Sequence, residues 1–145
     1  MKISTKGRYA LRLMLGIALQ SKSGPISLRD VAKQEGISDK YLEQIVTPLN
    51  RAGLVKSVRG AGGGYLLTRA PEEYTVGEIL RVLEGELVPV SCADAPGECS
   101  RSEFCVTQEV WAQIAAAVSN VVDNITLADL AQRYKEKQAA FSNEK

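Results

Sequence analysis

The sequence predicts a mainly α chain with one small β-hairpin, and three observations carry that prediction. Six segments place apolar residues three and four apart, the spacing of one helical face. One short alternating segment is interrupted by "RGAGGG" and then resumes, the pattern of a hairpin with a glycine-rich tip. At 145 residues, 45% hydrophobic and 24% charged, the chain has apolar material for one domain, or a small domain with an appendage. No apolar run approaches the roughly 20 residues that span a bilayer. Charges also interrupt the apolar part of "MKISTKGRYALRLML", unlike a signal peptide. The expected location is the cytoplasm, with no membrane partner.

Taken in order, "STKGRYALRLMLGIALQS" sets Tyr9, Leu13 and Ile17, with Leu11, Leu15 and Leu19, at helical spacing, so the first helix is largely buried. "GPIS" breaks the pattern. Ser27 caps "LRDVAKQE", with Asp30 three residues on and Gly36 at the left-handed position that ends a helix. After the "GIS" corner, Ser38 or Asp39 caps "KYLEQIVTPLNRAG", where Leu42, Ile45, Val46 and Leu49 face inward and Gly53 stops the helix. Two short helices around a tight glycine-bearing corner make a helix-turn-helix. "LVKSV" and "YLLT" supply the strands of the hairpin that follows, so the whole is a winged helix-turn-helix.

Beyond Pro71, "TVGEILRVLEG" reads as a short helix with a capping box from Thr75 to Glu78, ended by Gly85. Pro89, Pro96 and Gly97 exclude regular structure from the next stretch. Val106, Val110, Trp111, Ile114, Val118, Val121, Val122 and Ile125 then run one apolar stripe along a helix of roughly 27 Å, at about 1.5 Å per residue. A last amphipathic helix, "TLADLAQRYKEKQ", starts from Thr126, and the tail after Gln138 is expected to fray. The organisation is thus a winged helix-turn-helix over residues 1–70, a loop and dimerisation helices over 71–138, and a frayed tail over 139–145.

The formal net charge of +1 conceals a bipolar chain. Residues 1–69 hold 12 Lys and Arg against 4 acids, a net of +8, while residues 70–145 hold 6 against 13, a net of −7. A basic winged helix is the footprint of a surface that meets phosphates. In that arrangement the third helix lies in the major groove of double-stranded DNA and the wing tip enters the adjacent minor groove. Ser38, Lys40, Tyr41, Glu43 and Gln44 are the candidates for base edges: Gln44 pairs with adenine, and Glu43 accepts from a cytosine amino group or excludes wrong bases. Lys6, Arg8, Arg51, Lys56 and Arg59 are assigned to phosphate or groove contacts, which position without specifying. Major-groove readers bind paired half-sites, and the long stripe of residues 106–125 exceeds what so small a domain buries alone. A homodimer on a palindromic operator follows, with packing of that helix against its own subunit as the alternative.

"RGAGGGY" does not bind a nucleotide by either common loop. Counting from Gly60, Tyr65 stands at the last glycine of the dinucleotide pattern and a strand follows, while the Gly-Lys-Ser/Thr of a phosphate loop is missing. With no histidine base, no nucleophile motif and no phosphate loop, the chain is not expected to be an enzyme.

"SCADAPGECSRSEFC" places Cys92, Cys99 and Cys105 in one short stretch. An odd thiol count in a reducing compartment argues against a disulfide framework and leaves metal, redox or buried-thiol roles. Three thiolates suit an iron-sulfur cluster, and structural zinc usually draws on closer Cys pairs. Three idle thiols remain the plain alternative.

"STKGRYAL", "GISDKYLEQ", "GLVKSVRGAGGGYLL", "TVGEIL" and "NITLADL" together resemble the iron-sulfur-cluster regulators of the IscR type, with their nitric-oxide-sensing (NsrR-like) and cysteine-metabolism (CymR-like) relatives. The likeness runs in order over nearly residues 1–130. It implies a bacterial homodimeric transcription regulator, a repressor or activator, with its cluster loop between the fourth helix and the dimerisation helix. It implies that Cys92, Cys99 and Cys105 are the cluster's thiolate ligands, with one residue more between the first two than the family spacing. It also implies that Glu43 tunes the operator class and that Arg59 is the groove-contacting wing arginine. The family's histidine three residues after the last cysteine is Gln108 here, and the aspartate that the nitric-oxide sensors borrow from the first helix is Arg8. Candidates for the fourth ligand are Gln108, the carboxylates of Glu103, Glu109, Asp94 and Glu98, or an exogenous thiol or water. Three-cysteine ligation favours [4Fe-4S] over [2Fe-2S]. Such a cluster would order residues 90–106, and its loss would shift DNA affinity or site choice with iron, oxygen, nitric oxide or sulfur status. A cluster-free winged-helix regulator, sensing thiol redox state or a partner protein, is the second expectation.

Overall fold

The computed structural model describes residues 1–95 and 97–144, so the expectations for Pro96 and Lys145 lie outside the described residues. Helices α1 (Thr5–Gln20), α2 (Leu28–Glu35) and α3 (Asp39–Arg51) come first, then strands β1 (Val55–Val58) and β2 (Gly64–Leu67). Helices α4 (Val76–Glu84), α5 (Val106–Val122) and α6 (Leu127–Asn143) follow.

The Ser4 hydroxyl starts α1 by accepting from the Gly7 N–H at 3.0 Å, and the helix buries Ala10, Leu13, Met14 and Ile17. Gly36 ends α2 with φ 70, a conformation open to glycine at no steric cost. Ser27 occupies the expected cap position of α2, but its side chain makes no capping hydrogen bond. The Ser38 hydroxyl accepts from the Tyr41 N–H at 3.1 Å and starts α3. Pro48 lies inside α3 and cannot donate, yet its carbonyl accepts from Ala52 at 3.0 Å and the helix runs on to Arg51.

The hairpin is antiparallel, with Val55 opposite Leu67 and Val58 opposite Gly64. Ile26 adds one residue of a third strand by exchanging hydrogen bonds with Tyr65 at 2.9 and 2.8 Å. Leu13, Ile17, Leu42, Ile45, Leu49 and Val55 are almost wholly buried in one cluster that also takes Ile79 of α4 and Leu127 of α6. A smaller cluster of Val76, Leu80 and Leu87 collects Val118, Val122 and Ile125. The winged helix-turn-helix and the long helix are therefore present as the sequence predicts.

Besides the missing Ser27 cap, three details differ. At α4, the Thr75 hydroxyl accepts from the Glu78 N–H at 3.0 Å, but the Glu78 carboxylate pairs with Arg69 at 2.6 Å instead of closing the capping box. A charge-assisted bond to a guanidinium outcompetes one to a neutral amide. Helix α5 ends at Val122, with Asp123 as its cap, so Ile125 lies past its end. Helix α6 carries on through residues 139–143, where the sequence predicts fraying. Ala139 and Ala140 are strong helix formers, and no glycine or proline interrupts them.

Candidate nucleic-acid interface and cysteine site

The inward set on α3, Leu42, Ile45, Val46 and Leu49, leaves Lys40, Glu43, Gln44 and Arg51 exposed on the opposite face. Ser38 heads that face as the cap. Tyr41 is half-buried and meets Tyr9 of α1 edge-on, ring centroids 6.1 Å apart, so it stiffens the junction of α1 and α3 beside the exposed face. Thr47 stands on the same outer face, exposed, its hydroxyl donating to the Glu43 carbonyl at 2.7 Å. The sequence reading passes over Thr47. Its spacing of three from Gln44 and four from Glu43 was the available signal.

Lys6 and Arg8 are exposed in the first turns of α1, with Arg8 donating to the Thr5 hydroxyl at 3.3 Å. Lys56 and Arg59 are exposed on and just after β1, at the root of the wing tip. The head thus carries exposed cations on α1, α3 and the wing, with Lys22, Arg29 and Lys33 exposed before and along α2, while Arg12, lying over the Tyr9 ring, pairs with Glu35 at 2.6 Å.

The cysteine stretch contains one short helical turn, Ser91–Ala93, and its other backbone-to-backbone hydrogen bonds are turn bonds among the described residues. All three thiols are free. Cys92, Cys99, Cys105 and Gln108 line one small cavity of about 20 Å³, together with Ser102 and Gly97. The structure brings Gln108 to the three thiols, and does not bring Glu103, Glu109, Asp94 or Glu98 to that cavity. Ser102 was missed from sequence, where a serine in a polar loop carries no distinguishing signal. The Gln108 amide donates to the Cys92 carbonyl at 3.2 Å, joining the first turn of α5 to the start of the loop. Cys105 caps α5, and the Thr107 hydroxyl, 3.3 Å from its sulfur, holds its thiol below the usual cysteine range, helped by the Gln108 N–H and by Arg101.

As a donor set, three free thiols facing one space suit a thiophilic centre. Among the described residues, however, no three His, Cys, Asp or Glu side chains stand in a ready metal-binding group. Ligation would need the loop to draw in, and its few turn hydrogen bonds offer little resistance.

Helix α5 buries none of its residues within the single chain. Val106, Val110, Ile114 and Val121 are 71, 49, 39 and 58% exposed, and Phe104 of the loop is 88% exposed. At its far end Asp123 forms a two-point pair with Arg81 of α4, at 2.5 and 3.0 Å, which holds the Asp123 carboxyl below the usual range and raises Arg81. Gly77 makes room for this pair, because a Cβ there would overlap Asp123. Glu84, at the other end of α4, accepts from both the N–H and the hydroxyl of Ser4. One short helix therefore ties the end of α5 to the start of α1, where Lys6 and Arg8 lie.

A basic helix-turn-helix with a wing, joined to a thiol-lined loop and an apolar-faced helix, defines a DNA-binding regulator of the winged-helix class. The chain belongs to the Rrf2 family, described as an iron-dependent transcriptional regulator, whose profile it matches over residues 3–133. It is 46% identical to the HTH-type transcriptional regulator CymR of Bacillus subtilis, over 97% of each chain. It is 41% identical to the HTH-type transcriptional regulator IscR of Erwinia tasmaniensis, over 90% of this chain and 78% of that one. Among solved structures, CymR, the global cysteine regulator of B. subtilis, superposes with a TM-score of 0.78 at 45% identity, over 92% of this chain and 98% of that chain. IscR of T. potens also superposes at 0.78, with 43% identity over 95% and 91%. These relatives are transcription regulators, not enzymes. No helix among the described residues is long and apolar enough to cross a membrane.

Proposed function

We propose that this protein is a cytoplasmic homodimeric regulator whose affinity or site choice for a palindromic operator is controlled by an iron-sulfur cluster bound to Cys92, Cys99 and Cys105. The observation that carries the reading is the convergence of the three thiols and Gln108 on one cavity at the N-terminus of α5. Cys92, Cys99 and Cys105 would hold the centre through their thiolates, and Gln108 or an exogenous thiol or water would complete its ligation. Three thiolates with one open side favour [4Fe-4S] over [2Fe-2S]. When bound, such a centre supplies an oxidant- and iron-sensitive cross-link among the three sulfurs.

The protein's own residues do the rest. The apolar stripe from Val106 to Val121 is the surface that meets a second copy, and its exposure in one chain supports that role. Ordering residues 90–106 stiffens the start of α5, and the Arg81–Asp123 and Glu84–Ser4 links carry a shift of α5 through α4 to the first turn of α1. Ser38, Lys40, Tyr41, Glu43 and Gln44 face the base edges, while Lys6, Arg8, Arg51, Lys56 and Arg59 make the phosphate or groove contacts. Coupling need only be modest: a tenfold change in affinity is about 1.4 kcal/mol.

A second reading keeps the dimer and the duplex but makes the thiols themselves the sensor. The acidified Cys105 thiol favours it, as does the existence of an oxidised form of the 46% identical Staphylococcus aureus CymR. Iron and sulfide quantitation with visible spectroscopy on protein purified without air separates the two. The cluster reading expects iron, sulfide and colour that Cys92→Ala abolishes; colourless, iron-free protein that still binds DNA leaves the thiol sensor.

A further inference from the structure

We propose that Tyr74 is the positioning residue that sets the wing, and with it Arg59, on the body of the protein. Its side chain is fully buried, and its hydroxyl donates to the Leu54 carbonyl at 2.8 Å, just ahead of β1. The same oxygen accepts from the Thr68 and Arg69 N–H groups at 2.9 and 3.1 Å, just past β2. A phenol has one proton and two acceptor sites, so these three bonds saturate it. One side chain therefore grips both legs of the hairpin at the base.

The surroundings close the grip. The Thr68 hydroxyl, 3.1 Å from the phenol, lies 2.6 Å from the Gly53 carbonyl, a second bridge between the legs. Arg69 lies 4.3 Å over the Tyr74 ring, donates to the Glu73 carbonyl at 3.1 Å and pairs with Glu78 of α4 at 2.6 Å. The Tyr74 backbone is itself anchored, its carbonyl accepting from Leu127 of α6 at 3.0 Å. A two-stranded hairpin with strands of 4 residues is not stable by itself, so its direction must be imposed from outside. The Ile26 bridge supports one strand alone; Tyr74 fixes both.

The inference rests on the reading of Arg59 as a groove contact, and its test keeps the two apart. A duplex selected from random sequence by the wild-type protein is titrated with wild type, Tyr74→Phe, Arg59→Ala and the double variant, each first checked for cooperative unfolding. Amide exchange of Thr68 and Arg69 is followed in parallel. Tyr74→Phe is expected to weaken binding about tenfold, about 1.4 kcal/mol, to weaken it less than about twofold in the Arg59→Ala background, and to speed exchange at both amides. Arg69→Met, which keeps the phenol, is expected to lose about threefold and guards against an unfolded Tyr74→Phe. Equal losses in both backgrounds, or none, overturn the proposal. If Arg59→Ala itself binds as the wild type does, the groove reading falls, and unchanged protection of Thr68 and Arg69 in Tyr74→Phe then overturns the tether as well.

Discussion

The head and the cysteine half close their surfaces in opposite ways. In residues 1–70, α1, α3 and the hairpin share one cluster in which Ile45 and Leu49 have no exposed surface at all. In the second half, α5 has no buried residue, Phe104 projects, and three thiols face a cavity of about 20 Å³. The difference teaches where each half finds its stability. The head is complete within one chain, whereas the cysteine half presents surfaces and donors that a second copy and a bound centre would complete.

That contrast can be broken from the head first. Ile45→Ala should lower unfolding free energy by about 3 kcal/mol, measured in urea, because the packed site cannot collapse around the cavity. Ile114→Ala on α5 should change a single chain's stability by less than about 0.5 kcal/mol, while Ile114→Arg should convert a dimer to monomers in sedimentation. A dimer that survives Ile114→Arg would move the interface elsewhere.

The next effect belongs to the exposed face of α3. Gln44→Ala should cost about 1–3 kcal/mol on the selected duplex and relax discrimination at one base pair. Lys6→Ala should weaken all duplexes alike and reduce the salt slope by about 1. An unchanged slope would remove Lys6 from the phosphate contacts.

The smallest effect sits at the joint between the halves. The Asp123 carboxyl is held below its ordinary range by Arg81, so the pair's stabilisation is present above the unfolded carboxyl's titration and is lost as pH falls through the folded one. Both partners are partly exposed, which screens the pair. Asp123→Asn should therefore flatten the acid limb of the stability profile below about pH 4, because it lowers stability at neutral pH by less than about 1 kcal/mol and leaves acid stability unchanged. A steep acid limb retained in the variant would assign that limb to other carboxylates.

The fold was legible wherever its signals are local. Gly36, Ser38 and the tip "RGAGGG" announce corner, cap and wing through backbone preferences that neighbouring residues cannot hide. The exposed face of α3 followed from the inward spacing of Leu42, Ile45 and Leu49. What could not be read are pairs distant in sequence: Glu84 with Ser4, Arg81 with Asp123, and the Tyr74 hydroxyl with Leu54. No periodicity marks them, because each depends on how two elements pack. The Thr75 to Glu78 capping box failed for the same reason, since Arg69 claimed the carboxylate. In the cysteine stretch the donor types were plain from sequence, while which residues line the cavity, Gln108 and Ser102 rather than the nearby acids, depends on the three-dimensional path of the loop.

The central claim is that what the three sulfurs hold alters the grip on DNA. Air-free protein, assayed for iron and sulfide per chain, should bind its selected duplex about tenfold differently before and after chelation, with Cys92→Ala fixed at the stripped value. Iron-free protein, or one affinity shared by all three samples, would contradict it.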